Sequence, residues 1–171
     1  MKTKTFLLAA LVGLSALGVL HASDDAATNV SVSFDQPENY SDIGDGFNST
    51  AKGKAANLEG IKQYVQKQAK KYLPADQKLE ITFTNIDLAG EFEPWDATMD
   101  DIRIVKDIYP PRIDLQFRVM DASGKVVREG ERKLRDLSFM MNLRLNNNDP
   151  LRYEKTLIDD WMRKDVRPTE S

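Results

Sequence analysis

The sequence predicts an α+β domain, a mainly antiparallel sheet of about four to five strands with two amphipathic helices packed on one face, in the order β-α-β-β-β-β-α. Three patterns support this prediction. Apolar residues alternate with polar ones along several segments, they recur every three or four residues along two others, and polar turns separate these segments. Apolar residues are spread along the 171 residues rather than gathered in one block, which indicates a folded chain.

The first 22 residues have the pattern of a secretory signal peptide. Two lysines precede an uncharged apolar run from Phe6 to Leu20, and the small Ala22 is followed by an acidic stretch. The run is shorter than the ~20 residues that span a bilayer. We therefore expect cleavage after Ala22 and a periplasmic mature protein without stable membrane insertion. An uncleaved membrane anchor is the alternative.

One domain is predicted for residues 23–171, with loose ends at 23–28 and 167–171. Its first strand is Val30–Phe34, where apolar and polar residues alternate. A polar loop follows. From residue 50 to 72 the apolar residues recur at helical spacing, and Pro74 ends this helix because the residue before a proline resists helical geometry. Leucine, isoleucine and valine at positions 58, 61 and 65 are expected to face the core.

Alternation returns at Leu79–Leu88, which predicts a second strand, and the intervening helix leaves room for a parallel crossover between the two strands. Residues 90–101 are expected to form a loop. The apolar pattern of residues 102–105 predicts a short strand, and Arg112–Met120 and Lys125–Leu134 predict a hairpin around the turn at 121–124.

The C-terminal part of the chain is predicted to end in a second helix. Residues 136–144 are compatible with either a helix or irregular structure. Asp149 is expected to cap the last helix and Pro150 to be its first residue. The apolar residues 151, 157, 158, 161 and 162 are expected to face inward.

The composition excludes several classes of chemistry. The chain has no cysteine, and its single histidine, His21, lies within the predicted signal peptide. The mature chain therefore lacks a thiolate nucleophile, a disulfide and a Ser-His-Asp arrangement. It also lacks the ligands of a zinc finger or of a haem held by His or Cys. Its acidic balance does not favour nucleic-acid binding. We predict no cofactor and lean towards a non-enzymatic protein.

Carboxylates are the acid–base groups that remain, and they are densest around one tryptophan. Asp87, Glu91 and Glu93 precede Trp95 and Asp96. A sugar ring could stack on Trp95 while two of the carboxylates act as acid and partner, as in glycoside hydrolysis. A solvated acidic loop, with Trp95 covering the sheet, is the simpler interpretation. The three carboxylates are the catalytic candidates, and Trp95 and Asp96 are ligand-binding candidates.

A second acidic stretch contains Asp42 and Asp45, separated by two residues that include a glycine. Oxygen ligands near glycines could hold Ca²⁺, but the spacing does not match the alternating pattern of a calcium loop. Asp side chains in turns commonly cap nearby backbone groups instead. We predict no metal site, and we keep Asp42 and Asp45 as weak ligand-binding candidates.

Several stretches together resemble a known family. The sequence combines VSVSF at residues 30–34 with YSDIGD at 40–45, DLAG at 87–90 with EPW at 93–95, and LRYEK at 151–155 with DDW at 159–161. This combination resembles a family of exported Gram-negative proteins known as domain of unknown function 3016. The resemblance covers nearly all of the mature chain. It implies a single periplasmic domain without an assigned activity, and it carries over no catalytic residues.

These observations favour a non-enzymatic binding or accessory module that recognises an envelope component or a partner protein through its polar loops. One alternative is a carboxylate-dependent hydrolase acting on envelope glycans. Another is a structural subunit that docks through the segment Phe139–Leu145, whose methionines could adapt to a partner surface or fill the core.

Overall fold

A computed structural model of the chain describes residues 29–46, 48–93, 102–141 and 148–168. The helices are α1 (Ala51–Tyr72) and α2 (Arg152–Trp161), and the strands are β1 (Val30–Phe34), β2 (Lys78–Asp87), β3 (Glu91–Phe92), β4 (Arg103–Ile104), β5 (Arg112–Met120) and β6 (Val126–Arg135). The main sheet has four strands in the order β1-β2-β5-β6. Strand β1 runs parallel to β2, as the crossover predicted, and the other pairs are antiparallel.

The predicted α+β class is confirmed, and the predicted order of strands is wrong in one place. Residues 91 and 92 form a strand within the segment predicted to be a loop, and this strand pairs with β4 in a separate two-stranded ribbon. The short strand predicted at 102–105 therefore does not join the main sheet. The physical reason for this difference is the turn at Gly90. The φ of this glycine is +85°, and the turn leads the chain away from β2.

The main sheet has one apolar face and one polar face. Val, Leu, Ile and Phe side chains of β2 and β5 lie in a single hydrophobic core together with buried residues of α1 and α2. The opposite face, called the open face below, carries exposed or half-buried polar side chains. On β2, β5 and β6 these include Glu80, Thr82, Arg112, Asp114, Gln116, Arg118, Glu129, Glu131, Lys133 and Arg135. Alternation with a period of two explains why each strand supplies both faces.

Helix α1 starts and ends close to the predicted positions. The Thr50 hydroxyl caps its start by accepting a hydrogen bond from the Gly53 N–H at 2.9 Å. Of the residues expected to face the core, 61 and 65 are buried and Leu58 is partly buried. Ala69 and Tyr72 continue the same buried stripe. Gly60 lies against Leu151, the residue before α2, and a Cβ at this glycine would come 3.0 Å from a methyl group of that leucine. This glycine therefore permits close approach of the two helices.

Helix α2 begins two residues later than predicted. The Asp149 carboxylate accepts a hydrogen bond from the Leu151 N–H at 2.9 Å, but residues 150 and 151 form a turn and the helix begins at Arg152. All five residues predicted to face inward are buried. The chain continues from α2 into a π-helical turn, Met162–Val166.

Residues 136–141 contain a 3₁₀ turn at Phe139–Met141, and residues 142–144 of that segment lie outside the described part of the chain. The predicted signal peptide and the predicted loose start lie outside it as well. Among the helices that are described, none is long and apolar enough to cross a membrane.

Candidate functional site

The polar loop after β1 meets the chain at the C-terminal end of β2. The Asp42 N–H donates to the Ile86 carbonyl at 3.1 Å, and the Leu88 N–H donates to the Asp42 carbonyl at 3.1 Å. These bonds form a parallel bridge between Asp42 and Asp87. The loop after β1 therefore runs beside the end of β2. The region formed by residues 41–44, 87–93 and 102–109 is called the β2-end surface below.

The side chain of Arg103 joins the parts of this surface. Its Nη1 donates to Oδ2 of Asp42 at 2.6 Å and to the Gly90 carbonyl at 3.1 Å, and its Nη2 donates to the Gly44 carbonyl at 3.1 Å. The guanidinium also lies over the ring of Phe92, 4.4 Å from its centroid. One arginine thus connects the first loop, the turn after β2 and the ribbon, which makes them a single surface.

Asp87 lies at the end of β2 and is the catalytic candidate with a shifted pKa. Partial burial raises the pKa of its carboxyl, and the charges of Asp42 and Glu91 raise it further. The guanidinium of Arg112, with its Nε 3.8 Å from Oδ2 of Asp87, acts in the opposite direction. The raised pKa favours the protonated form, which is the direction a general acid requires.

The other two catalytic candidates have different environments. Glu93 is only 5% exposed, and its Oε1 accepts from the Lys106 ammonium at 2.5 Å and from the Tyr109 hydroxyl at 3.2 Å. This carboxylate holds the ribbon against the segment that follows β4. Glu91 is exposed, and its carboxylate accepts a hydrogen bond from the Phe92 N–H at 2.9 Å.

Asp45 has a local structural role next to α1. Its carboxylate accepts hydrogen bonds from the Thr50 N–H at 2.9 Å, from the Thr50 hydroxyl at 2.9 Å and from the Ser49 hydroxyl at 3.1 Å. These bonds lower the pKa of Asp45, the bonds from Thr50 most of all. The turn interpretation of this acidic stretch therefore accounts for Asp45. In the part of the chain that the structure describes, no group of three or more acidic or histidine side chains is arranged to hold a metal ion.

A buried acid that the sequence reading missed lies beneath the β2-end surface. Glu154, in the first turn of α2, is 1% exposed, and its Oε1 accepts a hydrogen bond from the Ala89 N–H at 2.6 Å. Within the described residues its Oε2 has no hydrogen-bond partner. Burial raises the pKa of this carboxyl, although the charges of Arg103 and Arg152 oppose the shift.

The signal for Glu154 was present in the sequence. It follows Leu151 by three residues and precedes Ile158 by four, so it occupies the apolar stripe of α2. Its position on that stripe, rather than its residue type, indicates burial.

The predicted site residues are therefore only partly brought together. The β2-end surface contains Asp42, Asp87, Glu91 and Glu93, whereas Asp45 binds the N-terminal end of α1. Trp95 and Asp96 lie outside the described residues. A shallow depression of about 440 Å³ lies elsewhere, on the open face, with Glu80, Gln116, Arg118, Glu129 and Glu131 among its lining residues.

A family model described as "Protein of unknown function (DUF3016)" matches residues 28–164. No curated protein and no solved structure shows a significant match.

Proposed function

The chain belongs to the DUF3016 family of proteins of unknown function, and we propose that it is a non-enzymatic binding or accessory module of the periplasm. It recognises an envelope component or a partner protein through the β2-end surface. The observation that carries this proposal is the set of three hydrogen bonds from Arg103, because they hold two loops from distant parts of the sequence in one fixed arrangement. Preorganised loops on a rigid scaffold are typical of binding sites.

Exposed apolar side chains on the same surface support a macromolecular partner. Ile102 is 52% exposed and Ile108 is 66% exposed, and they flank β4 on its two sides. Trp95 precedes the same strand in sequence. Large apolar and aromatic residues are the usual anchors of protein interfaces. The β2-end surface therefore has charged groups for orientation and apolar groups for contact.

The periplasmic location rests on the signal-peptide pattern of residues 1–22. Protein isolated from the periplasmic fraction should begin at Ser23 when its N-terminus is sequenced. A chain that keeps its first 22 residues and fractionates with membranes would contradict this location.

The hydrolase alternative, acting on envelope glycans, has one observation in its favour, the raised pKa of Asp87. A glycoside hydrolase needs a second carboxylate that acts as base or nucleophile. Glu93 is buried against Lys106 and Tyr109, and Asp42 is paired with Arg103, so both are engaged within the fold. Glu91 is exposed and is the remaining carboxylate near Asp87 that this alternative could use. The binding role requires no free pair of carboxylates, and it therefore agrees better with these contacts.

The docking alternative places the partner on the segment Phe139–Leu145. Phe139 is buried and packs edge-on against Tyr153 at 4.8 Å between ring centroids, so it belongs to the interior. Met140 and Met141 are exposed, and residues 142–145 lie outside the described residues. Because its methionines are exposed, this segment is compared with the β2-end surface in the experiment that follows.

Capture of partners from the periplasm distinguishes these surfaces. Tagged wild-type protein, W95A, I108S and M141S are compared by crosslinking, pull-down and mass spectrometry. We expect W95A and I108S to lose partners that wild type and M141S retain, because Ile108 belongs to the β2-end surface and Trp95 to the segment that joins β3 and β4 in sequence. Partner sets that are unchanged in W95A and I108S would refute the proposal, and loss confined to M141S would favour docking through Phe139–Leu145.

A further inference from the structure

Strand β6 is an outer strand of the main sheet. It has ten residues, Val126–Arg135, and pairs with β5 along one side. Among the described residues no strand pairs with its other side. Its side chains alternate between half-buried and exposed positions for most of its length. The outward N–H and C=O groups of such an edge can pair with another strand.

The charges on β6 are ordered so that two antiparallel copies of the strand would place acids opposite bases. On the open face the strand presents Glu129, Glu131, Lys133 and Arg135, two acids followed by two bases. When such a strand meets a second copy running in the opposite direction, acids face bases. Opposite charges directly across two strands stabilise their pairing, whereas like charges disfavour it.

Symmetry restricts the way in which two copies can meet. A two-fold axis perpendicular to the sheet makes the two β6 strands antiparallel and keeps both open faces on the same side. With the axis at Arg132, Glu131 faces Lys133 of the second copy and Glu129 faces its Arg135. Each pair occurs twice, so the contact has four pairs of opposite charges. The two Arg132 side chains meet each other on the other face, where each is balanced by its own Asp165, whose Oδ1 lies 2.5 Å from Nη2.

The neighbouring registers are electrostatically worse. Moving the axis to Gly130 places Glu129 against Glu131, and moving it to Glu131 places two copies of that residue against each other. Moving it to Lys133 brings two lysines together. Lys133 also has no ion pair within the described residues, whereas Glu129 and Arg135 have partners on β5. The charge order therefore selects the register centred on Arg132 and gives Lys133 an acidic neighbour.

We propose that β6 is the contact surface for a second copy of this chain, joining two four-stranded sheets into one continuous sheet. The proposal is independent of the binding role of the β2-end surface, because it rests on a different strand and on different side chains. Isologous dimers of this kind are the commonest symmetric assemblies of soluble proteins.

Charge reversal tests both the contact and its register. Sedimentation velocity of the protein as purified from cells should show a wild-type dimer. E131K leaves basic side chains at both 131 and 133, and K133E leaves acidic side chains at both, so each variant alone should dimerise about tenfold more weakly. A mixture of the two variants should form a heterodimer about as tight as the wild-type dimer, because its charges are again opposite.

Two variants on α1 control for the change of net charge. E59K and K67E make the same substitutions at exposed positions outside β6 and should leave the dimer unchanged. Thermal melting of all four variants verifies that they are folded. A monomeric wild-type protein would overturn the proposal. The proposal would also be overturned if E131K and K133E dimerised as tightly as wild type, or if a mixture of the two variants formed no heterodimer.

Discussion

Glu154 occupies a core position of α2 that an apolar residue would ordinarily fill. Its carboxyl is almost completely buried and accepts one hydrogen bond, from the Ala89 N–H. Burial disfavours the charged form more than Arg103 and Arg152 stabilise it, so its pKa is raised. This acid connects α2 to the turn that follows β2. The free-energy cost of burying its carboxyl depends on pH.

The stability of the protein should depend on pH through Glu154 in a defined direction. Its pKa in the folded chain lies above the ordinary value of 4.5. As pH rises above 4.5, the unfolded chain releases a proton that the folded chain keeps, so this group's contribution to stability falls with rising pH. E154Q cannot ionise, and its free energy of unfolding should therefore increase relative to wild type as pH rises from about 4 to 7. Urea unfolding at several pH values measures this difference.

E154A serves as the control for the hydrogen bond. It removes the acceptor of the Ala89 N–H and leaves a cavity, and like E154Q it cannot ionise, so it should be less stable than E154Q by about 2–4 kcal/mol at every pH. Parallel stability curves of wild type and E154Q would contradict a raised pKa, and so would a relative loss of stability by E154Q at high pH.

Gly53 shows how a residue unfavourable to a helix can be required by its surroundings. A Cβ at this position would overlap the carboxylate of Asp45, which caps the start of α1 through Thr50 and Ser49. The helical pattern alone suggests that alanine would be better here. The contact with Asp45 reverses that expectation.

A double-mutant cycle tests this contact. In wild type, G53A should lower the free energy of unfolding because the Asp45 carboxylate must leave its hydrogen bonds. In a D45A background the same substitution should raise it by up to about 1 kcal/mol, since only helix propensity remains. Denaturant unfolding of the four proteins measures both effects. An effect of G53A with the same sign in both backgrounds would show that the contact with Asp45 is not the reason for glycine at position 53.

At the scale of elements, the apolar patterns predicted the long segments and the short strand β4, but they missed β3 and its pairing with β4. Helix α1 and the hairpin of β5 and β6 extend over at least nine residues each, so their apolar spacing is unambiguous. Strands β3 and β4 have two residues each, too few for periodicity to show how they pair. Their pairing depends on the turn at Gly90 and on Arg103, and both act through contacts with distant residues that a local pattern does not contain.

Two glycines with similar backbone conformations should respond differently to alanine. Gly90 and Gly124 have φ of +85° and +83°. A Cβ at Gly90 would lie 2.8 Å from the Ile104 carbonyl, whereas nothing lies within 4 Å of one at Gly124. G124A should therefore cost about 1–2 kcal/mol from backbone strain alone, and G90A about 2–5 kcal/mol because the ribbon must also move. Equal losses of stability in urea unfolding would contradict the close approach of β4 to Gly90.

For the whole molecule, the composition limited the chemistry and the fold determined where the remaining charges lie. The only histidine belongs to the predicted signal peptide, and no cysteine is present. Of the acids that the sequence singled out, Asp42 and Glu93 are paired with Arg103 and Lys106. Sequence reasoning found the loops that contain them. It could not find their partners, because each ion pair joins residues at least thirteen positions apart.

Photo-crosslinking in living cells addresses the binding role of the β2-end surface. A photoreactive amino acid is placed at the exposed position of Ile108 or, as a control, at that of Lys67 on α1. We predict a specific adduct between position 108 and another envelope molecule, an adduct that W95A abolishes and that position 67 does not form. Absence of an adduct at position 108, or the same adducts from both positions, would contradict recognition through this surface.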